Sequence, residues 1–151
     1  MIRMTKETDY GILLLTCFAK FLERPVLTTR DVADRTGVPF RMTCKILNLL
    51  MRKRLLMSRR GIKGGYSLAR SPEQITLAEV VAALEGPVSL TECTKEACDC
   101  QIEDQCFVRE HWRIINRAFY QTLEGITLSS MAHSARRGLI QINTGLRPGE
   151  N

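Results

Sequence analysis

Histidine is the scarcest resource in this chain: only His111 and His133 occur among 151 residues, and neither stands beside a plausible nucleophile in sequence. General acid–base work near neutral pH falls most often to histidine, so a catalytic centre is not expected, nor a small-molecule substrate. Long apolar runs are missing as well. No segment approaches the ~20 apolar residues that cross a bilayer. The opening Met1–Lys6 leads into Glu7 and Asp9 and lacks the pattern of a secretory leader. The expectation is a cytoplasmic protein with no membrane partner, in a compartment where structural disulfides are uncommon. Internal repeats are absent. So is a nucleotide-binding P-loop, because Gly61-Ile62-Lys63-Gly64-Gly65 lacks a closing Gly-Lys-Ser/Thr and no helix pattern follows it.

What is present is ordinary in bulk and uneven in distribution. At 44% apolar and 25% charged, the composition is that of one compact domain, or one small domain with an appendage. The net charge of +6 hides a division. Residues 1–70 carry 15 Lys/Arg against 5 Asp/Glu, an excess of +10, whereas residues 71–151 carry 7 against 11, or −4. A basic first half suggests a polyanion partner on one side only, although basic surfaces are often just solvated faces.

Four of the six cysteines, Cys93, Cys98, Cys100 and Cys106, fall in one stretch of 14 residues among Glu92, Glu96, Asp99, Glu103 and Asp104. Cysteine usually occurs singly, as a small buried hydrophobe. Four in one acidic loop admit three readings: ligands of a metal or iron–sulfur cluster, disulfides, or a redox switch. Cys17, on an apolar helix face, is expected in the core.

Thr8 to Phe21 reads as a helix ended by Pro25, with Ile12, Leu13, Leu15, Cys17 and Phe18 on a broad apolar face. Thr28-Thr29 before Asp31-Val32-Ala33 is an N-cap signal for a short second helix that stops at Gly37. A third helix runs from near Pro39 to about Lys53. Two helices about a glycine turn form a helix-turn-helix signal. Next, Leu56–Arg59 and Tyr66–Ala69 flank a basic, glycine-rich tip, a β-hairpin directly after the expected recognition helix: a winged helix. Phe40, Thr43, Ile46, Leu47 and Leu50 are expected to face inward. Arg41, Cys44, Lys45 and Asn48 then face outward and are the candidates for groove contacts. Arg52, with Lys53 and Arg54, falls where phosphates are met, and Arg59, Arg60 and Lys63 charge the wing. The bland reading of each is a solvated charge.

Thr76-Leu77-Ala78-Glu79 has capping-box spacing and opens a short helix stopped by Glu85-Gly86-Pro87. After the cysteines, Phe107 to Glu124 is the longest helical pattern, closed by Gly125. Val108, Trp112, Ile115, Phe119 and Leu123 form one apolar stripe, and Phe107, Ile114 and Ala118 a second flank. So apolar a helix on so small a domain calls for a partner, and a second copy is the simplest. Thr127–Ser134 suggests one more helix. The tail from Arg136 reads as frayed.

The pieces Thr8-Asp9-Tyr10-Gly11, Gly37-Val38-Pro39, Arg60-Gly61-x-x-Gly64-Gly65-Tyr66, Thr76-Leu77-x-Glu79-Val80 and the cysteine loop before Trp112 resemble the IscR/NsrR-type (Rrf-two) winged-helix iron–sulfur transcription regulators of bacteria, over about residues 1–135. The run from His111 to Ala118 with Gly125-Ile126-Thr127-Leu128 is similar to the branch that regulates the Suf cluster-assembly operon. The resemblance implies a mainly α fold: a winged helix-turn-helix with a small β-hairpin wing and a long C-terminal dimerisation helix. It divides the chain into a DNA-binding domain (1–85), a cysteine-rich cluster-binding loop (86–106), dimerisation and terminal helices (107–135) and a flexible tail (136–151). It implies a homodimer on a double-stranded DNA operator, carrying a 2Fe–2S or 4Fe–4S cluster through which it senses cluster status or redox and nitric-oxide stress, and controlling iron–sulfur assembly genes.

Carried over residue by residue, the resemblance assigns Cys93, Cys100 and Cys106 as cluster ligands. Six residues separate Cys93 from Cys100 where five is commoner; Cys98 is extra, and as middle ligand it leaves gaps of four and seven. Relatives with a histidine ligand carry it three residues after the last cysteine, where Arg109 stands here. Asp9 matches the position of a carboxylate donated across the dimer, and His111 is a further option. Two other readings stay open. A structural Zn²⁺ suits clustered thiolates, though paired C-x₂-C hooks are lacking. A cluster-free switch would pair Cys98 or Cys93 with Cys100 or Cys106.

Overall fold

A computed structural model describes residues 3–95 and 98–134. The tail expected to fray from Arg136 lies outside them. Among the described residues six α-helices and one hairpin follow in order: α1 (Lys6–Lys20), α2 (Thr29–Thr36), α3 (Phe40–Arg52), β1 (Leu56–Arg59), β2 (Gly65–Leu68), α4 (Leu77–Glu85), α5 (Arg109–Glu124) and α6 (Leu128–Ser134). The expected architecture is present, a winged helix-turn-helix followed by a long helix.

Local chemistry sets most of the boundaries. Thr28 closes a complete capping box: its side chain accepts from the Asp31 N–H, and Asp31 accepts in return from the Thr28 backbone. The Thr28 hydroxyl, donating to Asp31 Oδ2 at 2.7 Å, and the Thr28 N–H together hold the Asp31 carboxyl below the usual carboxylate range. Gly37 ends α2 at φ +73°, a left-handed turn that a side chain would resist. The box at Thr76 is only half made. Its hydroxyl accepts from the Glu79 N–H, but the Glu79 carboxylate turns to Arg70 instead. The α3 helix begins at Phe40 with no side-chain cap.

Helix α1 is the central element, packed by α2, α3, α4 and α6. Its Leu14, Leu15 and Phe18 meet Ile46, Leu47 and Leu50 of α3, with Leu27, Leu55, Leu56, Ile75, Val80 and Leu128 completing the core. Each such side chain contributes roughly 1.5–3 kcal/mol on leaving water. Cys17 is buried among them, and burial pushes its thiol pKa up against the opposing pull of Arg35 and Lys20. Phe40 departs from expectation. It is 50% exposed rather than inward. It is the first helical residue, one position outside the Thr43–Ile46–Leu47–Leu50 stripe that α1 covers.

The hairpin pairs Leu56 with Leu68 and Arg59 with Gly65. It is clipped to the body through Leu27, whose N–H donates to the Tyr66 carbonyl (2.9 Å) while the Tyr66 N–H donates back (2.8 Å). A second small cluster, Ala78 and Val81 with Leu123, joins α5 to α4.

Candidate nucleic-acid interface and cysteine loop

The amphipathic α3 turns Thr43, Ile46, Leu47 and Leu50 into the core, which leaves Arg41, Lys45 and Asn48 exposed and Cys44 half-buried on the outer side. Arg52 follows on the exposed surface, as do Arg59, Arg60 and Lys63 on the wing. These residues therefore share the outer sides of α3 and the hairpin. Two of them are not free. Lys45 Nζ pairs with the Glu7 carboxylate of α1, and Asn48 Oδ1 accepts from the Tyr66 hydroxyl at 3.3 Å, linking α3 to the wing. Arg54 turns the chain from α3 into β1 at φ +61°, a left-handed conformation unusual for a side-chain-bearing residue.

The first turn of α1 is a junction. Glu7 reaches α3, Asp9 is exposed beside a shallow cavity lined by Arg3, Met4, Thr5 and Lys6, and Thr5 and Thr8 turn to α4. There the Glu85 carboxylate accepts from the Thr5 N–H (2.7 Å), the Thr5 hydroxyl (2.8 Å) and the Thr8 hydroxyl (2.6 Å). These donors hold Glu85 below the usual carboxylate range. The last residue of α4 thus ties the start of α1 to the chain entering the cysteine loop.

The loop is fastened at both ends. On the entry side Asn116 of α5 accepts from the Leu90 N–H at 2.9 Å and donates to the Val88 carbonyl at 3.2 Å. Cys93 lies in a short 3₁₀ turn (Glu92–Thr94), its sulfur 3.2 Å from the Thr91 hydroxyl. On the exit side Glu103, in a second 3₁₀ turn, pairs with Arg109 and faces Arg113 at 3.9 Å. The Arg109 Nε–H is buried and has no partner among the described residues.

All four loop cysteines are half-buried free thiols. The Cys100 N–H draws the Cys98 pKa down, but partial burial, the Glu103 side chain and Cys100 itself together hold it above the ordinary thiol value. Among the described residues no three His, Cys, Asp or Glu side chains are grouped as a metal cage. Asp9 lies on α1, and His111 is exposed in the first turn of α5. The guanidinium at 109 has no lone pair to offer a metal.

The α5 helix starts at Arg109, two residues later than expected, and Phe107 before it is 97% exposed. Within the chain α5 buries only Leu123, with Phe119 half-covered against α4. Val108, Trp112, Ile114, Ile115 and Tyr120 remain exposed. Sequence reasoning missed Glu7, Glu85, Glu103 and Asn116, because single polar residues facing distant partners leave no periodic trace.

A family model described as an iron-dependent transcriptional regulator, Rrf2, matches residues 4–134. The chain is 28% identical to protein rrf2 of Nitratidesulfovibrio vulgaris over 134 residues, 89% of each chain. It is 26% identical to the HTH-type transcriptional regulator IscR of Cronobacter sakazakii, covering 88% of this chain and 82% of the relative. Among solved structures, CymR, the global cysteine regulator of B. subtilis, superposes with a TM-score of 0.71 at 25% identity, over 87% of this chain and 97% of that one.

Proposed function

Because the chain belongs to the Rrf2 family of iron-dependent transcriptional regulators, we propose that it is a dimeric, operator-binding regulator whose cysteine loop senses iron–sulfur status. The family consists of regulators, not enzymes. The observation that carries the sensing function is the loop itself: four half-buried free thiols on one segment pinned at both ends. The donor set fits an iron–sulfur cluster, since thiolates are soft ligands and the loop offers one more than three. Cys93, Cys100 and Cys106 would hold it, with the fourth position left to a weaker oxygen or nitrogen ligand. Asp9 of a second copy is the candidate, and His111 the next. Bound there, the cluster would supply a redox-active centre with one exchangeable ligand.

The chain's own residues supply the relay. Asp9 shares its helical turn with Glu7, which holds Lys45 of the recognition helix, and with Thr8, held by Glu85 at the head of the loop. A pull on Asp9 would therefore reach α3 and the loop together, the shared connection that coupling between the two sites would use. Arg41, Cys44, Lys45 and Asn48 would enter the major groove, Arg52 would meet phosphates, and Arg59, Arg60 and Lys63 would follow the backbone from the wing. Genes for iron–sulfur assembly are the targets that this reading favours.

A cluster-free thiol switch is the second reading, supported by the four free thiols carried on one loop. The raised Cys98 pKa makes that residue a poor attacking thiolate, so such a switch would rest on another thiol of the loop. An absorption spectrum with iron, sulfide and zinc analysis of anaerobically purified protein separates the readings. The expected result is a brown protein whose visible bands vanish in Cys93→Ser, Cys100→Ser and Cys106→Ser but persist in Cys98→Ser. Asp9→Ala should keep the bands and shorten their lifetime in air. A colourless wild type with zinc, or with no metal, removes the cluster; loss of the bands in Cys98→Ser but not in Cys100→Ser replaces the ligand set.

A further inference from the structure

The wing carries a residue that its charge does not explain. Ile62 stands at the tip with 108% relative exposure, above every other large hydrophobic side chain described. Scattered surface leucines and isoleucines are common, but this one is displayed with nothing beside it to share cover. Its neighbours Arg59, Arg60 and Lys63 are all exposed cations.

The tip is also held still. The Gly64 N–H donates to the Gly61 carbonyl at 2.9 Å, and a Cβ on Gly64 would lie 2.4 Å from the Arg59 carbonyl oxygen, so the turn closes this tightly only with glycine there. At its base the hairpin is clipped to Leu27 by two backbone hydrogen bonds and to Asn48 of α3 through the Tyr66 hydroxyl. A hairpin fastened to the recognition helix therefore presents one apolar side chain among three exposed cations that flank it in sequence.

Duplex DNA matches that pattern. With α3 in a major groove, a hairpin anchored to it reaches the flanking minor groove, whose walls are phosphates outside and apolar sugar edges within. Cations at the rim take the phosphates, and an apolar side chain between them can press on a base step, as minor-groove wedges do. We propose that Ile62 is an apolar wedge that enters the minor groove beside the recognition site and selects a deformable base step there. The inference rests on the operator-binding reading above and adds to it a source of specificity outside the bases that α3 reads. Pyrimidine–purine steps yield most readily, and the guanine amino group obstructs the groove floor, so the selected flank should be rich in A·T with a TA step.

The test is binding-site selection from a random duplex pool with the full-length wild type, Ile62→Ser and Arg60→Ala, followed by titration and gel measurement of DNA bending on the winning duplex. Wild type should enrich a core and a flexible step at a fixed distance from it. Ile62→Ser should keep the core, lose the flanking preference, bend the duplex less and bind it about tenfold more weakly, the size of one mismatched pair. On a duplex whose flank is changed to G·C, wild type and Ile62→Ser should bind alike. Ile62 supports no packing, so the variant folds as the wild type does. An unchanged flank and bend in Ile62→Ser overturn the wedge while leaving operator binding intact. A wild type that enriches no sequence overturns operator binding and the wedge together. Loss in Ile62→Ser of binding to phosphatidylserine vesicles, with DNA binding unaltered, assigns the tip to a membrane surface and overturns it too.

Discussion

Glu85 shows how one side chain can join parts of the molecule that are 80 residues apart. Its carboxylate receives three hydrogen bonds from the first turn of α1, one of them from Thr8, which is fully buried. Hydrogen bonds to a charged group are the stronger kind, but Glu85 is exposed, so Glu85→Ala should lower stability by about 1 kcal/mol. The dependence on pH has a definite sign. Those donors depress the folded-state pKa, so the stabilisation is complete above the unfolded carboxyl value of about 4.3 and fades as pH falls through the lower folded value. Urea titrations of wild type and Glu85→Ala should therefore differ at pH 7 and converge as the medium is acidified below pH 4. Arg109 belongs to the same scale. It clasps Glu103 and so holds the cysteine loop to the start of α5.

At the scale of elements, α3 and α1 compete for a charge. Lys45 faces outward among the groove candidates but is paired with Glu7. Exposed pairs of this kind are worth only about 0–1 kcal/mol, so DNA can take the lysine over at small cost. Glu7→Gln should tighten binding to the selected duplex by less than about 1 kcal/mol, and Lys45→Ala should weaken it by about 1–3 kcal/mol if the ammonium reaches a base. Arg52→Ala should weaken all duplexes alike and reduce the slope of log K against log salt by about one. Fluorescence anisotropy across a salt series measures all three. Equal affinities for Lys45→Ala and wild type would remove Lys45 from the groove.

For the whole molecule, the question is what covers α5. It attaches to its own domain through Leu123, Phe119 and the Asn116 bonds, while Trp112, Ile114 and Ile115 face solvent in the single chain. A row of apolar residues along one helix suits a two-fold contact with a second α5. Ile114 is 66% exposed, so Ile114→Glu should fold normally yet place an unpaired charge in such a contact. In sedimentation velocity the wild type is expected as a dimer and Ile114→Glu as a monomer; a monomeric wild type refutes the contact. The same dimer is what would bring Asp9 of one copy to the cysteine loop of the other.

Helix identity and order were legible in the chain because they depend on local rules. A threonine before an acidic turn, a glycine after the last turn and a 3.6-residue apolar period locate α1 to α4 within two residues of the observed ends. The wing followed from its glycines, and the cysteine loop from four thiols in polar company. Phe40 escaped because a stripe defines a direction, while its end depends on how far the neighbouring helix extends. The start of α5 slipped for a related reason: Phe107 and Val108 continue the apolar pattern, but the chain there is still leaving the 3₁₀ turn at Glu103. Only tertiary structure decided the long-range polar bonds, Glu7 to Lys45, Glu85 to Thr5 and Thr8, and Asn116 to the loop entry. Such contacts join residues 26 to 80 positions apart. Their partners are chosen by the packing of helices around α1, and no spacing along the chain encodes that choice.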